Sequence, residues 1–134
     1  MLDFELGLPP EQLSPLTLAF VGDAVYETYI RTRIAKDVNM QVAKLHKIAI
    51  KYVSAVAQSK IVRSIEDVFT EEEQSVYKRG RNAHSHTSAK NADIVDYRHA
   101  TGFEALLGYL YLKKNSARLD EILNMAYEAV NTAE

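Results

Sequence analysis

Prolines occur only at positions 9, 10 and 15, so every residue after Pro15 is free of the side chain that breaks a helix. Glycine is scarce as well, with five in 134 residues. The chain therefore reads as all-α. A first helix is expected from residue 15 to about 36, with Ser14 as N-cap and Pro15 in the first turn. Apolar residues then recur at helical spacing from Val42 through Ile65, with a break near Ser54. In "TEEEQ", residues 70–74, Thr70 can cap a helix while Glu73 reaches back to it, and that helix is expected to reach about Arg81. Two more helices are expected, one carrying Ile94 through Tyr111 and one from about residue 117 to 130. Between them and the third segment, "GRNAHSHTSAKNA" at residues 80–92 lacks large apolar side chains and reads as a loop, with Asn91 or Asp93 as the next cap.

At 134 residues the chain has the size of one domain, and its 47% hydrophobic and 25% charged content is that of an average soluble protein. Its apolar runs are too short to span a membrane, no signal segment is visible, and a cytosolic location with no membrane association is expected. With no cysteine, disulfides, thiolate metal sites and cysteine nucleophiles are excluded. A net charge of −2 argues against indiscriminate coating of nucleic acid but leaves room for a local basic patch.

Two of the most apolar segments each contain one acid: Asp23 in "LAFVGDAVYE" and Glu104 in "TGFEALLGYLYL". Gly22 stands beside the first; Gly102 and Gly108 flank the second. Glycine within a helix costs roughly 1 kcal/mol relative to alanine and usually marks a close approach of two backbones. The simplest joint reading packs these two helices together and brings both carboxylates to one spot. Two like charges in a partly desolvated place repel unless a cation lies between them, and hard carboxylate oxygens suit Mg²⁺. Such an ion can activate water and stabilise charge on a phosphate, the chemistry of phosphodiester hydrolysis. Each acid also has a structural alternative: pairing with an arginine, capping a neighbouring helix, or pointing out of a sparse face. Glu27, one turn after Asp23, is read as an ordinary partner of Arg31.

Together, "LAFVGDAVYE" and "TGFEALLGYLYL" resemble the ribonuclease III catalytic domain, whose signature stretch contains an aromatic-apolar-Gly-Asp-Ala sequence and whose later helix contains Phe-Glu-Ala-Leu-x-Gly. With "RGRNAHSH" ahead of "KNAD" and "YRHATGFEAL", the chain is most similar to the short Mini-ribonuclease 3 branch, over nearly all of residues 1–134. The resemblance implies a single-domain helical bundle of the ribonuclease III endonuclease type. Asp23 and Glu104 would serve as catalytic residues and ligands of Mg²⁺, with Mn²⁺ able to substitute. It further implies a homodimer in which Phe20 enters a socket on the other subunit. Core packing within its own chain is the alternative for Phe20.

Larger ribonuclease III enzymes carry further acids where this chain has Ala19 and Thr101. Asp96 precedes Glu104 by eight residues, about 12 Å along a helix, too far to share an ion, and Asp93 and Asp96 are better read as N-terminal helix acids. More water ligands and weaker metal affinity are expected.

No acid occurs between Gln74 and Ala92, where Lys78, Arg79, Arg81, Asn82, His84, His86 and Lys90 form the expected RNA-binding stretch. A solvated basic loop is the alternative. "HSH" lacks the further ligands of a zinc site. Lys44, Lys47 and Lys51 are read mainly as one solvated face. The chain is too short for the double-stranded-RNA-binding domain of full-length ribonuclease III, so substrate choice would fall to the catalytic domain, its loop or a partner such as a ribosomal protein. The resemblance points to the 23S ribosomal RNA precursor as substrate. Two other classes stay open: a noncatalytic RNA-binding or ribosome-assembly module with a degraded site, and an all-α protein-interaction domain.

Overall fold

A computed structural model of the chain describes residues 3–83 and 93–132. Among these residues there are six α-helices and no strand: α1 (Pro15–Ala35), α2 (Val42–Val53), α3 (Ala55–Ile65), α4 (Glu71–Asn82), α5 (Asp93–Leu112) and α6 (Ser116–Thr132). No helix among them is long and apolar enough to cross a membrane.

Local chemistry sets most of the boundaries. Ser14 caps α1, its hydroxyl accepting from the Thr17 amide at 3.1 Å, and Pro15 occupies the first position, where its missing N–H has no partner to lose. Ser54 breaks the long apolar segment where expected: the chain is extended there, and the serine hydroxyl accepts from the Ala57 amide to start α3. Thr70 and Glu73 form the reciprocal capping box of α4, at 3.1 and 2.9 Å. That helix extends through Gly80 and Arg81 to Asn82, so the irregular stretch starts later than residue 80. Residues 84–92 lie outside the described residues, and with them the Asn91 capping expectation. At its other end α5 stops at Leu112, and two residues on Lys114, with a positive φ of 61°, lets the Asn115 amide reach back to the Leu110 carbonyl at 3.0 Å.

The fold is organised around α5, which packs against α1, α3 and α4. From Ala100 to Leu110 every residue is buried except Glu104, which is partly covered. A helix surrounded on three sides must be apolar nearly all round, and "ATGFEALLGYL" is. Phe103, Leu106 and Leu107 are fully buried and meet Tyr26, Ile30, Val62 and Tyr77 in the core. The Tyr26 ring meets Phe103 edge-on at 5.4 Å, and its hydroxyl donates to the Tyr52 carbonyl at 2.8 Å, so this buried phenol keeps a partner. A buried ion pair ties α6 to α4: Arg118 grips both oxygens of Glu73 at 2.8 Å. Nearby, Glu72 accepts from the Tyr109 hydroxyl at 2.7 Å and from Lys113 at 3.1 Å.

Candidate active site

Asp23 and Glu104 come together because two glycines let α1 and α5 touch. A β-carbon on Gly22 would lie 1.7 Å from the Glu104 carbonyl oxygen, and one on Gly108 would lie 1.9 Å from that of Leu18. No side chain fits either gap, so the crossing is backbone on backbone. Asp23 and Glu104 each stand beside that contact, near enough that the charge of Asp23 acts on the Glu104 carboxyl. Gly102 serves a different crossing than expected: its β-carbon would strike Tyr77, and Gly80 lies against Gly102 and Ala105, so this second glycine pair packs α4 onto α5.

The electrostatics follow from this placement. Burial, then the charge of Asp23, then the hydrogen bond that a protonated Glu104 donates to Asp23 push the Glu104 carboxyl up to about 8. Glu27 adds a smaller push in the same direction, and a hydrogen bond from Gln58 opposes it. At neutral pH the cation-free pair therefore holds a proton. Glu27 also pairs with Arg31 at 3.0 Å, as its spacing suggested.

Asp23 itself is exposed, although its apolar neighbours in the sequence suggested a partly desolvated place. The physical reason is that α1 is apolar on two sides. Leu18, Val25, Tyr26 and Ile30 enter the core, whereas Leu16, Phe20 and Ala24 face outward. Phe20 is 81% exposed, which removes core packing as its role. It borders a shallow cleft shared with Asp23, Val21, Thr28 and Tyr111.

Ala19 and Thr101 are both buried, and the Thr101 hydroxyl donates to the Tyr97 carbonyl of its own helix at 2.9 Å, so neither position supplies a carboxylate. No group of three or more acidic or histidine side chains suited to a metal occurs among the described residues. The donor set is thus two carboxyl groups, one solvent-accessible, with the remaining coordination left to water. That fits a hard divalent cation such as Mg²⁺, which commonly keeps several waters and takes one or two carboxylates.

Of the expected RNA-binding residues, Lys78, Arg79 and Asn82 are exposed on α4. Arg81 is partly buried, its guanidinium 5.7 Å from the Tyr77 ring and its Nε donating to Asn82 at 3.3 Å. His84, His86 and Lys90 lie outside the described residues. The helix that carries the described basic residues, α4, packs on α5 at Gly102 and Ala105, whereas α1 packs on it at Glu104 and Gly108. Lys44, Lys47 and Lys51 are exposed along α2.

Sequence reasoning missed Gln58, which is 3% exposed and donates to Glu104 Oε2 at 3.3 Å. A signal existed: Gln58 interrupts the apolar face formed by Ile61, Val62 and Ile65, as Asp23 and Glu104 interrupt theirs. It also missed Arg63 of α3, which joins Arg81 in acting on His99 and helps hold that imidazole below its usual range, although burial is the larger cause.

An all-helical bundle with this pair of carboxyl groups at a glycine crossing defines a ribonuclease III domain, and the sequence matches the family described as Ribonuclease III domain over residues 16–115. The chain is 54% identical over 116 residues to the Mini-ribonuclease 3 of Clostridium tetani, covering 86% of this chain and 77% of the relative. It is 48% identical over 126 residues to that of Brevibacillus brevis, covering 94% of each. Among solved structures, a crystal structure of a Fusobacterium nucleatum protein superposes with a TM-score of 0.76 at 30% identity, covering 87% of this chain and 93% of the other. The chain belongs to the Mini-ribonuclease 3 group of the ribonuclease III family.

Proposed function

We propose that this protein is an endoribonuclease that cleaves double-stranded RNA, with a divalent cation held by Asp23 and Glu104. Mg²⁺ is the resident ion in this reading, and Mn²⁺ can replace it. The observation that carries it is the meeting of two carboxyl groups from helices far apart in sequence, at a crossing where glycines are sterically required. The kinship with ribonucleases supports the same reading. A bound ion there supplies activated water and neutralises charge developing on the scissile phosphate.

The chain's own residues prepare that chemistry. Asp23 is open to solvent and to a substrate phosphate, while Glu104 is set deeper and would have to release its proton to serve as a ligand. Without acids at 19 and 101, half of the family's inner carboxylates are missing, which predicts more water ligands and weaker cation affinity. Lys78, Arg79, Arg81 and Asn82, with His84, His86 and Lys90, are the proposed contacts to phosphates and 2′-hydroxyls, the features by which duplex RNA is recognised. Phe20 is the proposed anchor of a homodimer, which would offer two carboxyl pairs to the two strands. Residues 1–134 act as one catalytic domain in this reading, the 23S ribosomal RNA precursor is its substrate in the cytoplasm, and a ribosomal protein is a candidate to present that substrate.

The test is a duplex-RNA cleavage assay with and without Mg²⁺, on the wild type and on Asp23→Asn. Cleavage is expected only with the cation, and the substitution should reduce it by at least about 100-fold, beyond what loss of an outer-shell partner does. Full activity of Asp23→Asn, or duplex binding without any cutting, overturns the assignment; the second result would point to a noncatalytic RNA-binding module.

A further inference from the structure

Gln58 lies in the first turns of α3 with its amide buried. Its Nε2 donates twice: to the Val53 carbonyl at 2.9 Å and to Glu104 Oε2 at 3.3 Å. Both partners are acceptors, so a reversed amide would aim its oxygen at two other oxygens. The orientation is therefore dictated by the contacts. Its Oε1 is then buried with no hydrogen-bond partner, an arrangement that a glutamine serving only to fill space would have no reason to keep.

Val53 is the last residue of α2, where helix carbonyls lack intrahelical donors, and Ser54 separates it from α3. The amide thus fastens the rigid α2–α3 junction to the carboxyl group of Glu104. A carboxyl group turns about its last bond at little cost, and fixing one oxygen removes that freedom. Asp23 approaches the same carboxyl group from α1, so Glu104 is held between a donor on α3 and the acid with which it would share an ion.

We propose that Gln58 is a positioning residue that orients the Glu104 carboxylate for divalent-cation binding by donating its amide to Oε2. Its functional consequence rests on the cation-site reading above. Partners of this kind in known metal sites set ligand direction, and their loss typically lowers metal affinity or activity about 10- to 100-fold.

Two measurements test it. Mn²⁺ is titrated into cation-free wild type and Gln58→Leu, with the free ion followed by electron paramagnetic resonance and thermal unfolding recorded alongside. The folded variant is expected to bind Mn²⁺ about 10- to 100-fold more weakly. Its cleavage should need correspondingly more Mn²⁺ and recover at high concentration, with the KM for duplex RNA unchanged. Binding within twofold of the wild type overturns the proposal. The second measurement uses no Gln58 variant: the side-chain amide resonance of Gln58 in ¹⁵N-labelled protein should be slow to exchange and should shift in Glu104→Ala. A resonance indifferent to that change overturns the contact even if Gln58→Leu fails to fold. Wild type that takes up no Mn²⁺ defeats the cation-site reading instead, and the resonance then decides whether Gln58 holds Glu104.

Discussion

Gly22 and Gly108 meet backbone to backbone at the crossing of α1 and α5: a β-carbon added to either would fall 2.8 or 3.0 Å from the amide nitrogen of the other. This contact sets how near Asp23 and Glu104 come. Gly22→Ala and Gly108→Ala should each destabilise the fold by about 3 kcal/mol or more, since the obstructing atoms are carbonyl oxygens of helical backbone that cannot step aside. Alanine's better helix propensity returns only about 1 kcal/mol. Gly7→Ala, with nothing within 4 Å, should stay within about 0.5 kcal/mol of the wild type. Urea unfolding of the three variants checks the contrast.

The raised Glu104 carboxyl predicts a pH dependence of stability with a definite sign. Folded Glu104 titrates at about 8, against 4.5 unfolded, so the folded state binds more protons between those values and loses stability as pH rises through them. His99 works in the opposite direction below its unperturbed 6.5, because it is held neutral in the fold. Glu72 and Glu73, both lowered, change stability only below 4.5. The window from about pH 7 to 8.5 therefore isolates Glu104. Melting temperatures of cation-free protein should fall across it, and Glu104→Gln should flatten the decline. If Mg²⁺ binds this pair as proposed, it has to displace the proton, so its stabilising effect should grow over the same interval. Parallel curves for the wild type and Glu104→Gln would contradict the placement of this carboxyl group.

Phe20 offers a prediction that separates folding from association. Its side chain is 81% exposed, so Phe20→Ala should alter the stability of the isolated chain by no more than about 0.5 kcal/mol. If the ring anchors a second subunit, the same change should move the monomer–dimer equilibrium at least tenfold toward monomer, as truncation of a central aromatic does. Sedimentation equilibrium over a concentration series reads this directly. An unchanged dimer constant removes Phe20 from the interface.

The buried pair between Glu73 and Arg118 should be the costliest ionic contact to break. Arg118→Ala removes both guanidinium donors from a carboxylate that is 4% exposed and leaves it only the Thr70 amide, a loss of about 3 kcal/mol. Arg118→Lys should recover only part of this, since an ammonium group cannot engage both oxygens at once. Chemical denaturation at pH 7 tests both, and a loss below about 1 kcal/mol for Arg118→Ala would show the pair to be dispensable.

Where a feature depended on near neighbours in the chain, it was legible. Ser14 and Thr70 cap helices through hydroxyls acting three residues ahead, the break at Ser54 falls where the apolar spacing put it, and Glu27 pairs with Arg31 one turn on. The pairing of Asp23 with Glu104 was also legible, because an acid beside a glycine in an apolar helix is costly and the chain has two such places. Features set by which side of a helix meets what were not. Asp23 proved exposed, since α1 turns one apolar side to the core and another outward, and hydrophobicity does not say which is which. Gly102 proved to face α4 rather than α1. Gln58 was overlooked because a neutral amide on an apolar face is a weaker anomaly than a carboxylate.

Proline placement, capping residues and the spacing of apolar side chains determined by themselves that the chain is helical, where most helices begin, and which two acids stand out from their surroundings. These are short-range consequences of backbone sterics and of side chains within a turn of one another. Only the tertiary structure decided which glycine serves which crossing, that Glu104 is set deeper than Asp23, and that an amide from α3 reaches it. Those outcomes depend on the rotation of whole helices about their axes, which is fixed by packing among side chains distant in sequence and so is written in no single stretch of it.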